Sequence, residues 1–235
     1  MSAISHNLQA VRDKICAAAN TAARAPENVN LLAVSKTWGA DAVLEAVRAG
    51  QRAFGENYEQ EAVAKMAAVK AEQPELALEW HFIGPIQSNK TRPIAAHFDW
   101  VHSVDREKIA RRLSDQRPAN MPALNVCIQV NISGEDSKSG VQPKDVPALA
   151  RAIATMPHLK LRGLMAIPEP ASEPEKQRIP FAQIKQLFEQ LRAQGFELDT
   201  LSMGMTDDMN AAIAEGATIV RVGTAIFGQR QYDEK

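Results

Sequence analysis

The chain has 235 residues, 45% of them apolar and 23% charged, an ordinary composition for a globular protein of one large or two small domains. Its 27 basic and 28 acidic side chains leave a formal net charge of -1, which argues against a broad electrostatic footprint for nucleic acid or an anionic membrane. The two cysteines, Cys16 and Cys127, fit a reducing compartment, no apolar stretch nears the roughly 20 residues that span a bilayer, and the opening segment lacks the layout of a secretion signal, so a cytoplasmic protein is expected.

In chain order, Ile4, Leu8, Val11 and Ile15 recur at spacings of three and four, which predicts a helix over residues 1–20. Pro26 helps to end it. A unit of short strand and helix then repeats. The strand runs are 31–35, 53–57, 79–84, 100–105, 125–131, 161–167, 200–204 and 218–223. Helical patterns lie between them, around Val43, Leu44 and Val47, Val63 to Lys70, Ile109 and Leu113, residues 145–156, Phe181 to Leu191, and Ile213. Gly50, Gly195 and Gly216 close helices just ahead of the next strand. Residues 169–180, flanked and interrupted by Pro168, Pro170, Pro174 and Pro180, read as a loop leading into a helix. Eight such units point to an α/β chain folded as a (β/α)8 barrel, a single domain over 1–235 with an additional N-terminal helix; an open doubly wound sheet is the competing arrangement.

In a barrel the carboxyl ends of the strands share one mouth, where chemistry sits. Polar residues gather at those ends: Lys36, Asn57, Ser103, Asp105, Asn131, Ser202, Arg221 and Thr224. Lys36 follows the apolar run Leu31–Val34. It is either a surface lysine just beyond a strand or a nucleophilic amine, which attacks a carbonyl only when neutral. The turns at Gly204 and Gly223 offer backbone N–H groups for a phosphate, with Thr206 as a helix N-cap, or else are plain glycine turns. Arg221 and Gly223 share one side of the eighth strand, so Arg221 faces the barrel interior and needs an acceptor, either a carboxylate or a ring nitrogen. His81 is equally readable as a satisfied core histidine or a ligand contact, and no histidine spacing forms a metal motif.

The stretches AVSKT (33–37), FGENYEQE (54–61), WHFIGPIQSNK (80–90), NISGEDSKSG (131–140), LRGLMAIP (161–168), LSMGMTDDM (201–209) and VRVGTAIFG (220–228) together resemble the pyridoxal phosphate homeostasis proteins, over essentially the whole chain. That family is similar to the barrel domain of alanine racemase without its second domain. The resemblance implies pyridoxal 5'-phosphate as cofactor, held as an aldimine on Lys36. Ser202, Gly204, Gly223 and Thr224 would hold its phosphate, Arg221 would face the ring nitrogen, and Asn57 and Met203 would line the pocket. It implies a carrier that buffers the cofactor and delivers it to apoenzymes. A weak amino-acid racemase is the alternative, one that needs a second acid–base group opposite Lys36; the two tyrosines, Tyr58 and Tyr232, are poor candidates. A monomer is expected, without nucleic-acid or membrane partners. Trp38 and Gly39 stand where relatives often carry lysine and proline, and Thr206 where they often carry serine. Lys138 matches a loop lysine of relatives, readable as a transient cofactor contact or as a plain exposed charge.

Overall fold

The apolar run after Asn30 forms strand β1 (Asn30–Val34), with Leu32 and Ala33 fully buried. A computed structural model of the chain describes residues 2–134 and 139–229. Each later apolar run also forms a strand: β2 (Ala53–Glu56), β3 (Glu79–Phe82), β4 (Trp100–Val104), β5 (Leu124–Val130), β6 (Leu159–Ala166), β7 (Thr200–Ser202) and β8 (Ile219–Val222). Every strand pairs in parallel with the next, and β8 pairs with β1 through Leu32 and Arg221, so the sheet closes into a barrel. Closure leaves no sheet edge, and strands buried on both sides need the near-continuous apolar runs seen here.

The helices form the outer layer. They are α1 (Ala3–Thr21), α2 (Ala40–Arg48), α3 (Glu59–Glu72), α4 (Thr91–His97), α5 (Glu107–Gln116), α6 (Val146–Ala154), α7 (Pro174–Ala193), α8 (Met209–Ala214) and α9 (Thr224–Phe227). Helix α1 buries the predicted stripe Ile4, Leu8, Val11 and Ile15 against α2, α8 and α9. Asn7 Nδ2 donates to the Ile226 carbonyl at 2.9 Å, and Arg12 donates to the Ala49 carbonyl at 2.8 Å, tying α1 across the closing seam. Gly50, Gly195 and Gly216 end their helices at φ of 86°, 94° and 101°, a region open to glycine.

Two expectations need correction. Residues 174–180 belong to α7 and not to the preceding loop, and Pro180 lies inside that helix. Burial of Phe181, Ile184, Leu187, Phe188 and Leu191, each worth about 1.5–3 kcal/mol, outweighs the roughly 3 kcal/mol that an interior proline costs. Thr206 is not an N-cap: α8 starts at Met209, with Asp208 in the cap position.

The barrel lumen is filled in layers. At one level Leu32 and Ile83 fill the space beside Gly55, where a Cβ would lie 3.2 Å from both side chains. Trp100, Cys127 and Met165 form a small apolar cluster of their own. Burial pushes the Cys127 thiol up to about 12, so it is an inert packing group. Between these layers lie buried polar groups, His81, His102, Ser202 and Arg221. No helix among the described residues is long and apolar enough to cross a membrane.

Candidate functional site

A cavity of about 410 Å³ opens at the carboxyl ends of β1, β2 and β8. Lys36, Asn57, Arg221, Gly223 and Thr224 all line it, so five of the eight predicted site residues converge although they are separated by up to 188 positions (224 − 36) in the chain. Val34, Trp38, Ile83, Ile167 and Met205 supply apolar walls. Among the described residues the lining carries two cations, Lys36 and Arg221, and one carboxylate, Asp207.

The segment that carries Lys36 is clamped from below. Helix α3 turns Lys65 toward the barrel, and its side chain is buried. Its ammonium donates to the Ser35 carbonyl oxygen at 2.7 Å, to Glu56 Oε1 at 2.7 Å and to Glu61 Oε1 at 3.0 Å. Ser35 Oγ donates to the same Glu56 oxygen at 2.6 Å, and the Thr37 N–H donates to Glu61 at 2.6 Å. The residues on both sides of Lys36 are therefore held by one charged network. Thr37 has φ of 69°, a left-handed conformation strained for a β-branched residue and sustained by that network. Burial raises the Glu56 carboxyl above its ordinary range, opposed by the charge and hydrogen bond of Lys65.

Asn57 is placed by a close approach. A Cβ on Gly84 would lie 2.3 Å from the Asn57 carbonyl oxygen, so only glycine lets β3 end against this residue. Ser103 Oγ donates to the Gly84 carbonyl at 2.5 Å and holds the approach from β4. Asn57 Oδ1 is buried and has no hydrogen-bond partner among the described residues. A buried polar atom without a partner costs about 1–3 kcal/mol, so this oxygen fits a ligand that brings a donor.

Arg221 faces the interior as predicted, but its acceptors are neutral. It donates to the Ser202 carbonyl at 2.7 Å, to Ser202 Oγ at 2.8 Å and to the Ala166 carbonyl at 3.0 Å. Burial lowers its pKa to about 10, where the guanidinium is still charged at neutral pH.

Ser202, Met203 and Gly204 do not line the cavity. The Ser202 hydroxyl is fully buried and engaged with Arg221 and with His102, 2.7 Å away. Met203 is fully buried in the apolar core. Gly204, at φ of 95°, backs onto α8, where a Cβ would lie 2.5 Å from that of Ala212, and its carbonyl accepts from the Arg221 N–H at 2.9 Å. The strand stops at Ser202, so the chain turns outward one step earlier than the sequence pattern implies. Met205 and Thr206 come to the cavity instead. Their signal in the sequence was the small-residue turn itself, read one residue pair too early.

Trp38 lines the cavity and packs on Phe227, with ring centroids 5.9 Å apart. Tyr58 is 53% exposed and is not part of the lining. Lys138 and Tyr232 lie outside the described residues.

A family model described as the N-terminal domain of alanine racemase matches residues 1–231. A pyridoxal phosphate homeostasis protein of Pseudomonas aeruginosa is 61% identical over 232 residues, covering 99% of this chain and 98% of that one. The chain belongs to the pyridoxal phosphate homeostasis protein family. Its relative in Escherichia coli is 57% identical over the full length of both chains, 235 residues. The structure of PipY from Synechococcus elongatus with pyridoxal phosphate bound superposes with a TM-score of 0.81 at 37% identity, over 96% of this chain and all of that one. Alanine racemase of Corynebacterium glutamicum shares the fold, with a TM-score of 0.65 at 19% identity over 98% of this chain and 62% of that one.

Proposed function

We propose that this family member takes up pyridoxal 5'-phosphate in the mouth cavity through Lys36, buffers it, and releases it to apoenzymes. The observation that carries the reading is the convergence of Lys36, Arg221 and the unpartnered Asn57 oxygen on one cavity with apolar walls. An amine, a cation and a lone acceptor between flat apolar side chains suit an aromatic, phosphorylated aldehyde. The bound cofactor supplies an aldehyde that an amine captures reversibly.

The chain's own residues then divide the work. Lys36 Nζ is the nucleophile, and the Lys65 network holds its backbone from both sides. Arg221 would hold the ring side of the cofactor, and its fixed positive charge would disfavour a proton on a nearby ring nitrogen. Asn57 Oδ1 would accept a hydrogen bond from a donor on the cofactor. The Gly223–Thr224 turn and the Thr206 hydroxyl hold the phosphate, taking over the role read from the sequence for Ser202 and Gly204. Met203 supports the core behind them.

Racemisation needs a second acid–base group across the cofactor from Lys36. Tyr58 is turned to solvent and away from the cavity, which favours a carrier over a racemase. The same reading makes the protein a cytoplasmic monomer, and the exposed thiol of Cys16 suits a reducing compartment.

Borohydride reduction of the protein with pyridoxal 5'-phosphate, followed by peptide mass spectrometry, tests the reading. One phosphopyridoxyl adduct per chain on Lys36 supports it. Equal labelling of scattered lysines, with none favoured, rejects it.

A further inference from the structure

A line of hydrogen bonds runs through the barrel lumen from the cavity to the opposite face. It starts at Glu79, the first residue of β3, which borders a separate hollow of about 950 Å³ at that face. Glu79 Oε1 lies 2.7 Å from His81 Nε2, and His81 Nδ1 lies 2.8 Å from His102 Nε2. His102 Nδ1 lies 2.7 Å from Ser202 Oγ, which accepts from Arg221 at 2.8 Å. His81, His102, Ser202 and Arg221 are each at most 4% exposed. The line ends at the cavity, because Arg221 also lines it.

Both ends dictate the direction of the protons. A carboxylate only accepts and a guanidinium only donates. From Glu79, the proton of His81 sits on Nε2, so neutral His81 accepts at Nδ1. His102 then donates from Nε2 and accepts at Nδ1. From Arg221, the guanidinium donates to Ser202 Oγ, and the serine proton is left for His102 Nδ1. The two assignments agree at every step, with one proton per bond and both imidazoles neutral.

We propose that Glu79, His81, His102 and Ser202 are a positioning relay that holds Arg221 at the cavity and transmits the protonation state of the Glu79–His81 pair to it, so that bound cofactor senses protonation at the far barrel face. This rests on the cavity being the pyridoxal phosphate site. A proton added to His81 makes Nδ1 a donor facing the Nε2–H of His102. To accept it, His102 must carry its own proton on Nδ1, which turns a donor toward Ser202 and removes the acceptor for the serine proton. The line therefore has no intermediate setting: it is neutral and of one polarity, or it is broken beside Arg221.

The surroundings favour the neutral setting. Burial lowers both imidazoles, and for His102 the positive charge of Arg221 adds to the effect. The hydrogen bond from His81 lowers the Glu79 carboxyl. Other charged or titratable groups act on the line from the neighbouring elements: Asp99 before β4, Cys127 on β5, Arg162 on β6 and Asp208 before α8. Trp100 stacks on His81, with centroids 5.3 Å apart, and keeps the ring plane fixed.

The test is a double-mutant cycle read by spectroscopy. Wild type, Glu79→Gln, Ser202→Ala and the double variant are loaded with pyridoxal 5'-phosphate, and the absorbance of the bound cofactor is titrated with pH. Glu79→Gln should move the midpoint by about half a pH unit, roughly a threefold change in proton affinity. In the Ser202→Ala background the same change should move it no further, because the line is already cut. An unchanged midpoint in Glu79→Gln, or additive shifts in the double variant, overturns the proposal. In the cofactor-free wild type, 15N NMR should show both imidazoles neutral with the proton on Nε2; an Nδ1–H tautomer or an imidazolium at neutral pH overturns the relay. A wild type that takes no adduct at Lys36 overturns the cofactor reading and the sensing with it, while the 15N result decides the relay itself.

Discussion

Lys65 grips the chain one residue before Lys36, its ammonium 2.7 Å from the Ser35 carbonyl oxygen. The same ammonium neutralises Glu56, whose side chain is fully buried. A helix in the outer layer thus fixes the backbone that aims the candidate nucleophile.

Lys65→Met keeps the length of the side chain and removes the charge. It should destabilise the fold by about 3–5 kcal/mol in urea denaturation, because a buried carboxylate is left without its cation. Glu56→Gln combined with Lys65→Met should recover a large part of that loss. Equal losses in the single and double variants would show that the ion pair is not the source.

Lys36→Ala should abolish the borohydride-trapped adduct and leave the circular dichroism spectrum unchanged, since Lys36 lies beyond the end of β1 and is partly exposed at the mouth. Adduct formation at undiminished stoichiometry in this variant would refute the role of Lys36.

Gly84→Ala places a methyl group 2.3 Å from the Asn57 carbonyl oxygen. The strand end must shift, at a cost of about 1–3 kcal/mol in stability. Affinity for pyridoxal 5'-phosphate, followed by fluorescence titration, should fall roughly tenfold as Asn57 moves from the cavity, matching the loss of one hydrogen bond. Unchanged affinity would detach Asn57 from the ligand.

Thr206→Val removes a hydroxyl from the cavity wall at nearly constant volume. Retention of pyridoxal 5'-phosphate should drop by about fivefold to tenfold, and retention of unphosphorylated pyridoxal should stay constant. Equal effects on both ligands would place the phosphate elsewhere.

The buried histidines set an acid limit on stability. His81 and His102 are both lowered from 6.5 in the folded chain, chiefly by burial. Below that pH the unfolded chain binds protons that the folded chain refuses, so their contribution is present above it and is lost as pH falls. Glu79, lowered by its bond to His81, acts in the same sense from about 4.5 downward. Glu56 and Asp99, raised by burial, act in the opposite sense over the acid range. His102→Gln isolates one proton: its stability should fall less steeply below pH 6.5 than that of the wild type, by up to about 1.4 kcal/mol per pH unit. Parallel curves would mean that His102 is not held neutral.

Local pattern was enough for the alternation of strands and helices. Apolar runs at Leu31–Val34 and Val126–Val130, glycine stops at Gly50, Gly195 and Gly216, and the stripe Phe181 to Leu191 are each properties of a few neighbouring residues. The same holds for Lys36 at a strand end, whose exposed mouth position follows from where the apolar run stops. Pro180 misled because the burial that tolerates it comes from the barrel and not from its neighbours.

The amino-acid sequence by itself therefore determined the eightfold alternation, the strand-end lysine and the inward arginine, because period and hydropathy act locally. The tertiary structure alone decided which polar residues meet. Lys65 reads as a surface charge on α3 until closure of the barrel brings Ser35 and Glu56 beneath it. Ser202 reads as a polar strand end until Arg221 and His102 engage its hydroxyl from two other strands. Those contacts span up to 100 residues, and a buried hydrogen bond is made or missed on a few tenths of an ångström, a scale set by the register of the closed sheet and not by any spacing along the chain.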